Sequence, residues 1–438
     1  MTHSVRNKLS VMMFLEFFVW GAWLPQIFGY LGKEGLNFSY LQQALVLNAF
    51  SIASITALFF SNQFADRNFA GEKFLAFSQL VGGLAIMAMA WTSSFWPFFL
   101  LMLLHSLFYV PTISITNSIA FANLKDGQRD FPLVRLWGTI GWIAAAWPFI
   151  FIMVDWDKVP AFGQVSFTDW LGTALSNSKE GAAANQAKTY TFIVSGIASL
   201  LLAGFSLALP HTPPKPAKEG AESFAWLEAM RLLRVPFVLV LFIVTFFDSA
   251  VHTCYFVWTE TYLKEVGIAA QWVQPIMSIG QVAEIGTMAV LGFFLKNLGW
   301  RTTMVIGILG HAVRFAVFAF VPEVIPAIVV NLLHGVCYAF FFATVYIFVD
   351  EFFPKDARTS AQGLFNFLIL GMGPLVGYFV WPALAEIFPA GSGVDFSKLF
   401  LVPAGTALFA AILLLLFFHP PAKAAPSEDL PAEPVPIN

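Results

Sequence analysis

The feature that most constrains this chain is a succession of apolar runs about 20 residues long, each ended by charge, proline or glycine. A run of that length crosses the hydrocarbon core of a bilayer as an α-helix, and inside lipid the backbone must satisfy its own hydrogen bonds, which a helix does. Cutting the sequence at the interruptions gives twelve spans, near residues 9–31, 43–65, 73–92, 97–119, 132–154, 189–210, 236–260, 267–295, 301–321, 323–349, 359–382 and 399–418. Residues are 58% hydrophobic and 11% charged, more apolar surface than a soluble core of this size can hide. The first run is long enough to span rather than to be cleaved as a leader.

The stretch from His211 through the prolines to Pro236 divides the spans six and six. The expected organisation is a six-helix half over 1–210, a connector over 211–235, a second six-helix half over 236–418 and a Pro/Ala/Glu-rich disordered tail over 419–438. Charged turns at matching places, Asp66-Arg67 after the second span and Lys296 to Arg301 after the eighth, suggest two parallel repeats. The lysines and arginines of the loops divide sixteen to six in favour of the side that holds the termini, which places both termini in the cytoplasm. Residues 155–188 then form a long external loop, rich in Ser, Ala and Gly, expected to be partly mobile.

A net charge of −3, with no basic run, argues against nucleic acid as a partner. Cys254 and Cys337 lie in apolar stretches and read as buried thiols rather than a disulfide. No hydrolase elbow, zinc-protease helix, phosphate loop or metal-ligand spacing is present, so neither enzyme chemistry, a cofactor nor a metal is expected. What remains is a multi-pass protein of a bacterial-type inner membrane, working as a monomer on a small polar solute. With no nucleotide-binding motif, uphill transport would draw on an ion gradient, and the buried acids point to protons.

Ionisable groups at bilayer depth mark function by default, because each costs roughly 2.5–3.5 kcal/mol to insert. Glu16, His105, Asp248, His252, Glu284, His311, Arg314 and His334 qualify. Arg135, Thr139 and Trp142 share one helix face at i, i+4 and i+7, offering a guanidinium, a hydroxyl and an aromatic plate together; alternatively Arg135 is an interfacial residue of ordinary kind. Gln281 and Glu284 share a face at i, i+3, as a binding pair or as structural partners of a cation. Asp248 with His252, and His334 with Tyr338, form i, i+4 stripes that can line the same cavity. Arg314 and His311 fit an internal pair better than a ligand contact, and Glu16 fits either a proton site or a buried neutral acid.

Four strings carry a family resemblance: FLEFFVWGAWL over 14–24, DFPLVRLWGTIG over 130–141, SIGQVAE over 278–284 and ARTSAQG over 357–363. On these the chain resembles the nucleoside:proton symporters of the major facilitator superfamily. The resemblance implies an all-α membrane protein of twelve helices in two pseudo-symmetric halves, and a central cavity binding a nucleoside through Arg135, Thr139, Trp142, Gln281 and Glu284. His334 and Tyr338 join the expected binding set. Glu284, Glu16 and Asp248 are the proton-coupling candidates, and Asp66 with Arg67 would latch the cytoplasmic gate. The chain departs from the family pattern at Glu16 (Gln in the family), Trp142 (Phe), Thr253 and Phe256 (polar), His334 (Tyr) and Tyr338-Ala339 (Phe-Asp), which implies relocated proton coupling or a different substrate. A carrier for a sugar or another hydroxylated metabolite, and a non-transporting receptor on the same fold, are the alternatives.

Overall fold

A computed structural model describes residues 3–57, 68–124, 127–214, 231–353, 358–391 and 393–420. Among them are ten helices long and apolar enough to cross a membrane. We label the main helices α1 (His3–Leu31), α2 (Tyr40–Thr56), α3 (Gly71–Ala88), α4 (Phe95–Asn123), α5 (Gly127–Ala146), α6 (Gly181–Ser206), α7 (Pro236–Glu265) and α8 (Ala270–Phe320). The last three are α9 (Val324–Phe352), α10 (Ala361–Ile387) and α11 (Phe396–Phe417).

Local chemistry sets the helix ends. Ser39 begins α2 with a reciprocal cap: its Oγ accepts from the Gln42 N–H, and Gln42 Oε1 accepts from the Ser39 N–H. Pro236 occupies the first turn of α7, where its missing N–H costs nothing. The 51-residue α8 is two helices end to end, because Gly299 takes φ 73° and ψ 175°; that left-handed backbone suits glycine and breaks the hydrogen-bond ladder. The break falls between the spans expected at 267–295 and 301–321. Helices α9 and α10 each contain a π-helical stretch, Tyr338–Ala343 and Phe367–Met372, which hydrophobic periodicity does not announce.

Helices early in the chain pack mostly with one another: α1 against α5 and α6, and α3 against α4 and α6. Late helices do the same, α7 against α10 and α11, and α8 against α9 and α11. Contacts between the two groups run through α1 with α7, α5 with α8, and α2 with α10. Small residues allow the closest approaches. A Cβ on Gly141 of α5 would strike the Phe14 carbonyl of α1. Gly141→Ala is therefore expected to overpack this crossing at a cost of about 1–3 kcal/mol, seen as a lower thermal unfolding midpoint in detergent; an unchanged midpoint would refute the close crossing.

The 155–188 segment differs from the mobile loop expected of it. Ser166 caps a helix over Phe167–Ser176 by accepting from the Asp169 N–H at 3.1 Å. Trp170 gathers Trp156 and Phe162, with ring centroids at 5.7 and 5.2 Å, and the Leu175 carbonyl accepts from Gln271 Nε2 and Trp272 Nε1 on α8. Aromatic packing and these two bonds order a segment whose Ser/Ala/Gly content suggested otherwise. α6 already starts at Gly181, so Lys188, expected in the loop, is a helical residue. Cys254 and Cys337 are free and buried. The expected gate pair Asp66-Arg67 and the 421–438 tail lie outside the described residues.

Candidate functional site

The face expected on α5 forms, and α1 is what it meets. The Arg135 guanidinium carbon lies 3.9 Å from the centre of the Phe17 ring, a cation–π arrangement. Gly138 makes room one turn on, since a Cβ there would come within 2.6 Å of an Arg135 nitrogen. Thr139 is half-buried on the same face. Trp142 stands edge-on to Trp20 with centroids 5.3 Å apart, and Trp20 in turn stacks on Phe50 at 4.9 Å. An aromatic wall built by α1, α2 and α5 results.

α7 and α8 supply the opposite wall. A narrow cleft is bounded by Gly21, Trp142, Tyr255, Phe256, Gln274 and Gln281. Gln281 is 7% exposed, and its Oε1 has no hydrogen-bond partner among the described residues. A buried amide oxygen left free at a cavity wall is an acceptor waiting for a donor. Glu284 lies one turn along the same face, half-buried, and feels the charge of Arg135 across the gap. Tyr338 is also within electrostatic reach of Glu284 and Arg135 and begins the π stretch of α9. The two expected clusters, one from α5 and one from α8, thus face each other.

Of the seven expected binding residues, Trp142 and Gln281 bound the cavity. His334 is 2% exposed, its Nδ1 sits 3.1 Å from Arg314 Nη1, and its ring packs 4.6 Å from Tyr255. Gln274, Tyr255 and Phe256 also bound the cavity and were missed. Gln274 lies seven residues before Gln281, two helical turns on the same face, and that spacing was a usable signal. Nothing in the sequence distinguishes Tyr255 from other buried aromatics, whereas Phe256 was marked by its departure from the polar family pattern.

Glu16 is enclosed in a polar network within the early helices. Its Oε1 is 2.6 Å from Thr112 Oγ1 and its Oε2 accepts from Gln79 Nε2 at 2.8 Å. Thr112 Oγ1 is also 2.5 Å from the Tyr109 carbonyl. A hydroxyl has a single proton to give, so the Thr112 hydroxyl stands between two acceptors, the Glu16 carboxyl and the Tyr109 carbonyl.

A second polar site joins the two helix groups at the Glu260 end of α7. Glu260, fully buried, accepts from Lys188 Nζ at 2.7 Å, from Lys264 Nζ at 2.8 Å and from the Gly29 N–H at 3.0 Å. Any side chain at Gly29 would displace the carboxylate. Nearer the middle of the bundle, Gln274 Nε2 donates to the Gly21 carbonyl at 3.1 Å. This end of the cavity is closed.

With this geometry in place, comparison with known proteins identifies the fold and the family. The model of the family described as "Nucleoside H+ symporter" matches residues 3–177 and 157–423. The chain belongs to the nucleoside H+ symporter family. Among relatives from Escherichia coli (strain K12), YegT is 33% identical over 94% of this chain and 93% of its own length. Xanthosine permease is 26% identical over 96% and 98%. A crystal structure of the nucleoside transporter NupG superposes with a TM-score of 0.80 at 23% identity, covering 95% of this chain and all of that one, which shows a shared fold. This member of the symporter family is a multi-pass membrane transporter and not an enzyme.

Proposed function

We propose that the chain imports nucleosides together with protons across a bacterial inner membrane. It would do so by alternating access of two six-helix halves, residues 1–210 and 236–418, with twelve crossings in all and both termini cytoplasmic. The break at Gly299 and the short described part of α2 are what bring ten candidate spans to twelve. Membership of the family supports nucleoside and proton as substrates. The site reading is supported by Trp142 from α5 and Gln281 from α8 on the walls of one cavity, and by Glu284 lying within electrostatic reach of Arg135. A nucleoside needs an aromatic surface for its base and several donors and acceptors for its ribose. Trp142 and Tyr338 supply the first, and Arg135, Thr139 and Gln281 the second.

Glu284 couples the two substrates: ligand between Arg135 and Glu284 changes how strongly the guanidinium holds the carboxylate charged, so binding and protonation are linked. Labelled uridine and adenosine should accumulate in proteoliposomes under an inward proton gradient, faster as the outside pH falls. Glu284→Gln should lose that pH dependence. Gradient-independent uptake by the wild type, or an unaltered pH profile in the variant, would overturn the coupling role. Competition by sugars but not by nucleosides would favour the hydroxylated-metabolite reading.

A further inference from the structure

Behind Tyr255 lies a second set of ionisable side chains that ligand binding does not use. Asp248 and His252 stand one turn apart on α7, His311 and Arg314 on the second arm of α8, and His334 on α9. Asp248, His311 and Arg314 have no exposed surface at all. Arg314 donates from Nη1 to His334 Nδ1 at 3.1 Å and from Nη2 to His311 Nδ1 at 2.9 Å. A guanidinium is a donor only, so both Nδ1 atoms are acceptors, and each of these neutral rings carries its hydrogen on Nε2. In His311 that N–H points to Asp248, with Nε2 3.6 Å from Oδ2. Neither Asp248 oxygen has a hydrogen-bond partner among the described residues.

Two further facts connect this cluster to the cavity. His252 is the half-buried member, and its Nδ1 also lacks a partner among the described residues; its ring lies 4.9 Å from His334, 5.4 Å from His311 and 5.4 Å from the cavity-wall residue Phe256. The Arg314 guanidinium rests 4.3 Å over Tyr255, another cavity-wall residue. The contrast with Glu16 is direct. Both of its oxygens are engaged by Thr112 and Gln79, whereas those of Asp248 are free to change partners.

We propose that Asp248 is a second proton-carrying carboxyl of the transport cycle, reached from the central cavity through His252 and held by Arg314 as its counter-charge. The proposal rests on the symport reading and adds a site to Glu284. His252, protonated from the cavity, passes that proton to an Asp248 carboxylate oxygen and returns to neutral; no other bond changes. With Asp248 ionised, one anion and one cation balance within the cluster. With Asp248 neutral, the Arg314 charge is left against Tyr255, so loading the proton alters the electrostatics of the cavity wall. The ionisable groups that face Asp248 are His311, with Nε2 at 3.6 Å, and Arg314 on α8 and Cys337 on α9, while His252 stands one turn along its own helix. On the neighbouring α10 and α11, Glu386 and Lys398 stand at helix ends away from it.

Two readouts test this in Asp248→Asn. In proteoliposomes the variant should lose gradient-driven accumulation of labelled uridine while counterflow at equal pH persists. In infrared difference spectra of the purified protein, a titrating carbonyl band of a protonated carboxyl should remain in Glu284→Gln and be lost when Asp248→Asn is added to it. Wild-type accumulation by Asp248→Asn, or a band in Glu284→Gln that adding Asp248→Asn leaves unchanged, overturns the proposal. If the wild type moves no nucleoside but the Asp248 band titrates, the substrate reading fails and the proton site stands. Should Asp248→Asn not fold, His252→Gln is expected to slow gradient-driven accumulation while sparing counterflow; accumulation as fast as wild type would then count against the relay.

Discussion

Glu260→Gln is expected to release the closed end of the bundle. The carboxylate accepts from two lysines, and one of them, Lys188, is 2% exposed with its ammonium 2.7 Å from Oε1. Breaking a buried pair by removing one partner typically costs about 3–5 kcal/mol, because the other charge stays behind unpaired. Here the cost falls on one conformation only. Lys188 and Gly29 belong to the early helices and Glu260 and Lys264 to the late ones, so separating the two groups at this end releases the lysines to solvent. An equilibrium disfavouring opening should therefore shift by about 100-fold or more. The readout is a cysteine at Gln26, which is 3% exposed and lies just inside the latch, labelled by a membrane-impermeant maleimide. Labelling from the proposed external side should accelerate by that order in Glu260→Gln. Equal rates with and without the substitution would show that the ion cluster does not hold this end shut.

Arg135→Ala should lower nucleoside uptake at sub-saturating concentration by about 10- to 100-fold, the range set by the 1.5–3 kcal/mol of hydrogen bonds made by a charged group. Arg135→Lys should rescue only part of this. The guanidinium is planar, lies on the Phe17 ring at 3.9 Å and offers a rigid fork of donors, whereas an ammonium is a point charge on a flexible stem. If Arg135 binds the ligand, the loss appears as a raised KM. If it serves only the α1–α5 contact, the loss follows the amount of folded protein instead, and a variant that is fully folded yet transports normally removes Arg135 from the site.

How much of this was legible beforehand follows from what each signal depends on. Span positions were readable because crossing a bilayer demands length and apolarity of each segment by itself, a local property. The faces of Arg135, Thr139 and Trp142, and of Gln281 and Glu284, were readable because helical periodicity fixes which neighbours point together. How α5 and α8 stand to each other was not readable from either face, since it depends on helices far apart in the chain; the family resemblance alone suggested one shared cavity. The same limit hid Tyr255 and made Lys188 a loop residue until its partner Glu260 was in place.

The sequence by itself determined a helical membrane protein, its family and the helix faces that carry polar groups. Tertiary structure alone decided which buried charges are satisfied and which are not: Glu16 is enclosed by Thr112 and Gln79, Glu260 by two lysines and a backbone N–H, and Asp248 is left with both oxygens unpartnered among the described residues. The physical reason is that an ionisable group in a low-dielectric interior takes its role from the few atoms within hydrogen-bonding distance, and those atoms come from helices tens to hundreds of residues away.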